Sequence, residues 1–149
     1  MSTSNPRAPI SANRQFLANA INDDTAQASL AATMQIINSV DAAIPAFTPI
    51  TNALYTNPVS AAGRTWTITT ASARLTGVTA VGAGAKFVLQ NDGANTITLA
   101  VAGAVTAAAG HTLTTATATS HTFVLTLVSG SVALGTDAWV LRSLGTLAN

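Results

Sequence analysis

The chain has 149 residues, of which 48% are hydrophobic and only 7% charged, with a net charge of +1 and no cysteine. A globular domain usually carries about 25% charged residues, so this chain does little to keep a free surface dispersed, and partners are expected to cover much of it. The same balance excludes an electrostatic nucleic-acid or acidic-membrane binder, and the lack of cysteine excludes a disulfide frame and a thiolate metal site.

Residues Met1 to Ile10 hold Pro6 and Pro9 among small polar residues and read as an extended arm. They lack the apolar core of a signal peptide, so synthesis in the cytoplasm without an export signal is expected. Residues 11–44 read as helical. Ser11 can cap a first turn, and Phe16, Leu17, Ala20 and Ile21 fall on one stripe. Asp23 or Asp24 can cap a second helix, Thr25 to Ile44, which Pro45 stops. In that helix Leu30, Met34, Ile37 and Ile44 keep heptad spacing, with Asp41 in the missing position. Two readings stay open: an amphipathic helix packed on its own domain, or a short bundle of helices from several chains.

Residues 45–60 carry Pro45, Pro49 and Pro58 with Phe47, Ile50, Leu54 and Tyr55 between them, a linker with apolar anchors. A β domain is expected over 61–149. Trp66 and Ile68 alternate with Thr65, Thr67 and Thr69, the period of a strand with one buried face. A looser stretch with Leu75, Val78 and Val81 ends in Gly82-Ala83-Gly84. Lys86 to Gln90 and Thr96 to Ala100 flank Asp92-Gly93 and read as a hairpin. Matching Phe87 and Leu89 to Leu99 and Ile97 requires an odd-numbered loop there. A short threonine-rich strand is expected at His111 to Thr115.

Thr122 to Leu144 is the densest strand signal in the chain. Ser129-Gly130 as a two-residue loop would pair Leu127 with Val132 and Leu125 with Leu134. The last strand is expected over Ala138 to Leu144. Phe123, Leu125 and Leu127 are apolar on one side of their strand and Val124 and Val128 on the other, which calls for a second cover, either the helix or another subunit. Phe87-Val88-Leu89 recurs as Phe123-Val124-Leu125, read as two similar hairpin units. The most apolar run, Ile97 to Ala109, is shorter than the about 20 residues of a membrane helix. The pattern predicts a mainly β fold: an antiparallel sandwich or jelly roll of about seven or eight short strands, preceded by the arm and one or two helices.

Chemistry-bearing residues are few. Asp23 and Asp24 read as a cap, and Asp92 and Asp137 as turn residues. Asp41 reads as a solvated helix position or a register-setting polar residue in a bundle. His111 and His121 flank one threonine-rich stretch; two histidines can begin a metal site, but no carboxylate or thiol stands at ligand spacing, and a strand-end role is the simpler reading. Gly82-Ala83-Gly84 leads into a strand and lacks the Gly-Lys-Ser/Thr ending of a phosphate loop. Arg7, Arg14, Arg64, Arg74, Lys86 and Arg142 are scattered; those in or near the arm and the first strand suit an acidic scaffold. Trp66 and Trp139 read as core, the alternative being stacking on a sugar. No residue is assigned a catalytic, cofactor-binding or metal-ligating role, no cofactor is expected, and the chain is not read as an enzyme.

The closing pattern Asp137-Ala138-Trp139-Val140-Leu141-Arg142-Ser143-Leu144-Gly145 resembles the end of many phage fibre and head-decoration domains, where a turn, a Trp strand and a Gly finish a sandwich. A low-charge, Ala/Thr/Gly-rich β domain without cysteine is similar to small virion proteins of tailed bacteriophages. The likeness covers the C-terminal part of the chain, and the helical segment Ala12 to Ile44 departs from the shortest decoration proteins. The resemblance implies a virion protein assembled in the host cytoplasm, a homotrimeric capsid decoration or cement protein anchored through its N-terminal region. Its partners would be itself and the major capsid protein or other virion proteins, with no nucleic acid or membrane. A short fibre or tail appendage with a receptor- or glycan-binding tip is the alternative. No functional residue is carried over.

Overall fold

Threonine alternating with large apolar residues builds most of the structure. The computed structural model of the chain describes residues 35–38, 41–59 and 61–149. The predicted arm, the first helix and the Asp23-Asp24 cap lie outside the described residues. The described part is mainly β. Its strands are β1 (Gln35–Ile37), β2 (Ala53–Asn57), β3 (Arg64–Ile68), β4 (Gly84–Asn91), β5 (Ile97–Val101), β6 (Val105–Ala107), β7 (Thr114–Thr115), β8 (Thr119–Ser129) and β9 (Ala138–Ala148). One short helix, α1 (Thr70–Arg74), sits between β3 and β4.

The strands form a six-stranded sheet, β1-β2-β4-β8-β9-β6, and a three-stranded sheet, β3-β5-β7. Their buried faces contribute to one apolar cluster, which makes the fold a sandwich. The pairing is mixed rather than antiparallel as expected: β1–β2, β2–β4, β3–β5 and β6–β9 are parallel, and β4–β8, β8–β9 and β5–β7 antiparallel.

Three expectations are overturned. The second helix was to run to Ile44, but Gln35–Ile37 pair with β2 as a strand, and Ile44 makes an isolated bridge to Trp66. Consecutive isoleucines favour a strand once an edge is available to pair with, and tertiary pairing overrides the weak heptad. The linker 45–60 likewise contains β2. Two of its four anchors behave as read: Phe47 and Tyr55 are buried, and the Phe47 N–H donates to the Thr67 carbonyl at 2.7 Å, whereas Leu54 is half-buried and Ile50 is exposed.

The second correction concerns Asp92-Gly93. β4 and β5 belong to different sheets, so no hairpin forms. Asn91, fully buried, explains the change of sheet. Its Oδ1 accepts from Gly93 N–H at 3.1 Å, an Asx turn, and its Nδ2 donates to the Asn95 and Thr115 carbonyls at 2.7 and 3.1 Å. The side chain thus bends the strand end and ties it to β7. Asn57, beside Asn91 at the end of β2, makes the same kind of turn to Val59 N–H at 3.1 Å.

The third concerns Ser129-Gly130. β8 and β9 do form a hairpin, but Leu127 pairs with Trp139 and Ser129 with Ala138, leaving Gly130 to Asp137 as the loop. Gly130 has φ +80°, and a Cβ there would run into the Thr136 carbonyl oxygen. The loop closes on itself there, and only glycine fits. The recurring Phe-Val-Leu triplets are neighbours rather than separate hairpin units. Phe87 lies opposite Phe123, with stacked rings 5.6 Å apart.

The core is aromatic at its centre. Phe47 packs on Tyr55, Trp66 and Phe87 with centroids 4.8, 5.1 and 5.9 Å apart. Trp66, Phe87, Leu89, Phe123, Leu125, Leu127, Trp139 and Leu141 are wholly buried. Each such side chain contributes on the order of 1.5–3 kcal/mol of transfer free energy. Both tryptophans are core residues, as their strand patterns predict.

Candidate functional site

Three polar groupings emerge from this fold, two closed and one open. The first gathers both histidines around Ser143. A bulge in β8–β9 sets Ser143 opposite Phe123 and Gly145 opposite Thr122, which pushes Leu144 outward and brings Ser143 beside His121. Ser143 Oγ lies 2.5 Å from His121 Nε2, and His121 Nδ1 lies 3.3 Å from the Thr114 carbonyl. With the proton on Nδ1, Nε2 accepts from the hydroxyl. His111 Nδ1 stands 3.1 Å from Ser143 N and 2.9 Å from its carbonyl. Nδ1 serves one of the two according to its tautomer, accepting from the Ser143 N–H or donating to the carbonyl.

A serine hydrogen-bonded to a neutral histidine is the starting arrangement of a nucleophile and base. Here the far nitrogen meets a carbonyl oxygen rather than a carboxylate. The His121 ring is 1% exposed, lies 4.1 Å from the Phe123 ring, and its pKa is lowered by burial. The grouping closes the sandwich edge by satisfying polar atoms. Among the described residues no set of three or more His, Cys, Asp or Glu could hold a metal ion.

The second grouping is Asp137, Arg74 and Trp139. Asp137 receives Arg74 Nε at 3.0 Å on both oxygens, Arg74 Nη2 at 2.6 Å and Trp139 Nε1 at 2.6 Å. The Arg74 guanidinium, and then the indole N–H, hold its carboxyl well below the usual carboxylate range. Far from being only a turn residue, Asp137 locks α1 to the start of β9. A capping box between Thr69 and Ser72 fixes α1 and so aims Arg74.

The remaining charges sort themselves. Asp41 pairs with Arg64 at 2.9 Å, so it is a strand-anchoring partner rather than a helix position. Asp92 accepts from Gln90 Nε2 at 2.9 Å and Asn149 Nδ2 at 3.2 Å. Gly82 and Ala83 extend the ladder of β8, bonding Leu127 through Gly82 N–H (2.8 Å) and the Ala83 carbonyl (3.1 Å), which leaves no phosphate loop.

Among the described residues Lys86 and Arg142 are left, and the sheet brings them together. Lys86 lies opposite Val124, and Val124 opposite Arg142, so all three side chains stand in one row on the outer face. The neighbouring rows hold Leu54, Val88 and Thr122, and Thr126, Val140 and Thr106. Two clefts adjoin Lys86. One, of about 160 Å³, lies towards Asn52 and Leu54; the other, of about 400 Å³, is lined by Thr122, Leu144, Gly145, Thr146 and Leu147. This open face is the candidate functional surface. The sequence showed its two cations only as scattered; that they flank one valine follows from the β4-β8-β9 order.

Comparisons with protein-family models, with curated proteins and with solved structures find no match.

Proposed function

We propose that the chain is a non-catalytic structural protein of a tailed-bacteriophage particle, a homotrimeric capsid decoration protein anchored through its N-terminal region. The composition and the closing Trp strand support this reading. The observation that carries it lies at one end of the sandwich. There Leu75, Val81 and Leu134 are 74%, 58% and 79% exposed, next to a Val128 that is 36% exposed. The segments bearing them are tied together: Arg74 bonds Asp137 across the β8–β9 loop, and Gly82 bonds Leu127. Four large apolar side chains facing water at one end, in a chain with 7% charged residues, are a contact surface awaiting a second copy.

Native mass spectrometry of the full chain tests this. A trimer is expected, and the double change Leu75→Asp and Leu134→Asp should shift it to monomer with an unchanged circular-dichroism spectrum. A wild-type monomer at micromolar concentration would refute the assembly. Removing Met1 to Ile10 should abolish attachment to shells while leaving the domain folded. A fluorophosphonate probe that labels Ser143 would contradict the non-catalytic reading.

A further inference from the structure

We propose that the outer face of the six-stranded sheet docks a protein partner that presents carboxylate side chains, with Lys86 and Arg142 as its two anion contacts on either side of Val124. Three observations converge on this face.

The first is charge accounting. Among the described residues, Asp41 is taken by Arg64 and Asp137 by Arg74. Asp92 is held by Gln90 and Asn149. Among the described residues no further acidic side chain remains for Lys86 or Arg142, and neither makes an ion pair with one. The second is placement. The two cations stand two strands apart, about 10 Å by the usual strand spacing, in one row on a face whose other side chains are valine, leucine and threonine. Two cations on one row, about a Debye length apart, present a positive potential to a single partner surface. The third is shape, since Lys86 separates clefts of about 160 and 400 Å³ in which a partner side chain can seat.

The chemistry selects the partner. Arg142 offers a bidentate fork to a carboxylate and Lys86 a compact point charge. A glycan would want an exposed aromatic platform, but Trp66, Trp139, Tyr55, Phe87 and Phe123 are all buried inward. Nucleic acid needs many more cations than two. A protein surface with two Asp or Glu side chains about 10 Å apart fits the charges and the half-buried valine between them. The proposed structural role enters only in naming the partner as a protein. The assembly proposed above rests on Leu75, Val81, Val128 and Leu134, which substitutions of Lys86 and Arg142 leave unchanged, so the two readings fail separately.

The test uses the full chain and an immobilised hexa-aspartate peptide, with hexa-serine as the blank, at low salt. Wild type should be retained on the aspartate peptide and released by added salt. Lys86→Gln and Arg142→Gln should each weaken retention by about tenfold, and the pair should abolish it. The double change Thr112→Asp and Thr117→Asp, at exposed loop positions, lowers net charge equally and should leave retention nearly intact. Equal loss in both double variants would overturn the proposal by showing a bulk-charge effect, and so would wild-type retention in the Lys86/Arg142 pair. Stronger retention on heparin, on single-stranded DNA or on phosphatidylserine vesicles, dependent on the same two residues, would overturn the choice of a protein partner.

Discussion

The inner and outer faces of the six-stranded sheet are made by the same strands and do opposite work. On β4, β8 and β9 the inward positions Phe87, Leu89, Phe123, Leu125, Leu127, Trp139 and Leu141 are wholly buried. The alternate positions Val88, Thr122, Val124, Thr126 and Val140 are half-buried, and Lys86 is exposed. Both sets are rich in good strand formers, so propensity does not distinguish them. Burial does. The inward set carries the stability, and the outward set forms the face proposed above for recognition.

Single substitutions should split accordingly. Phe87→Ala removes a ring stacked on Phe123 and touching Phe47 and Tyr55, and should cost about 3–5 kcal/mol in urea denaturation. Val88→Ala, one residue along, should cost less than about 1 kcal/mol. Comparable losses at the two positions would mean that the outer face is covered. Next in size is Gly130→Ala, which forces a Cβ against the Thr136 carbonyl at φ +80°, with an expected loss of about 1–3 kcal/mol.

How far the sequence could be read follows the same divide. Alternation exposed which side of Arg64–Ile68 would be buried, because a period of two is a local property; β8 read as apolar on both sides, and the structure turns Phe123, Leu125 and Leu127 inward. Alternation could not tell which strands would be neighbours. Matching Phe87 and Leu89 to Ile97 and Leu99 was sound as pattern, yet the triplet Phe123-Val124-Leu125 offers the same match, and β4 pairs with it instead. The deciding residue, Asn91, looks like any polar turn residue; its burial beside Thr115 is visible only in three dimensions. The candidate surface was hidden for this reason. Lys86 and Arg142 lie far apart along the chain and meet only through β8. Ser143 gave no signal beside the two histidines because a bulge brings it there.

A third measure concerns the buried histidine on the inner side. Burial lowers the pKa of His121 below 6.5. The unfolded chain therefore binds a proton that the folded chain refuses, and stability rises with pH in that window. Going down in pH, stability should fall below about pH 6.5 with a slope of at most about 1.4 kcal/mol per unit, before the loss from Asp137 sets in below its ordinary value of 3.8. Replacing His121 by Gln should flatten the first stage and leave the second, as urea titrations at several pH values would show. An unchanged first stage would place the proton uptake elsewhere.

The smallest expected effect is the sharpest on the outer face. Val124 stands between Lys86 and Arg142, half-buried, on a strand whose other face buries His121, Phe123, Leu125 and Leu127. Val124→Thr keeps the shape and the strand propensity and exchanges one methyl for a hydroxyl. On a face open to water the hydroxyl is solvated, and the change should lie within about 0.5 kcal/mol of wild type. Under a cover it would be a buried hydroxyl without a partner, costing about 1–3 kcal/mol. Repeating the denaturation over a range of protein concentrations separates the sources of such a cover. A cost that grows with concentration belongs to a second copy, and a constant cost belongs to the chain itself. A change that leaves stability alone but weakens retention on the aspartate peptide would set the outer face apart as a surface kept for a partner.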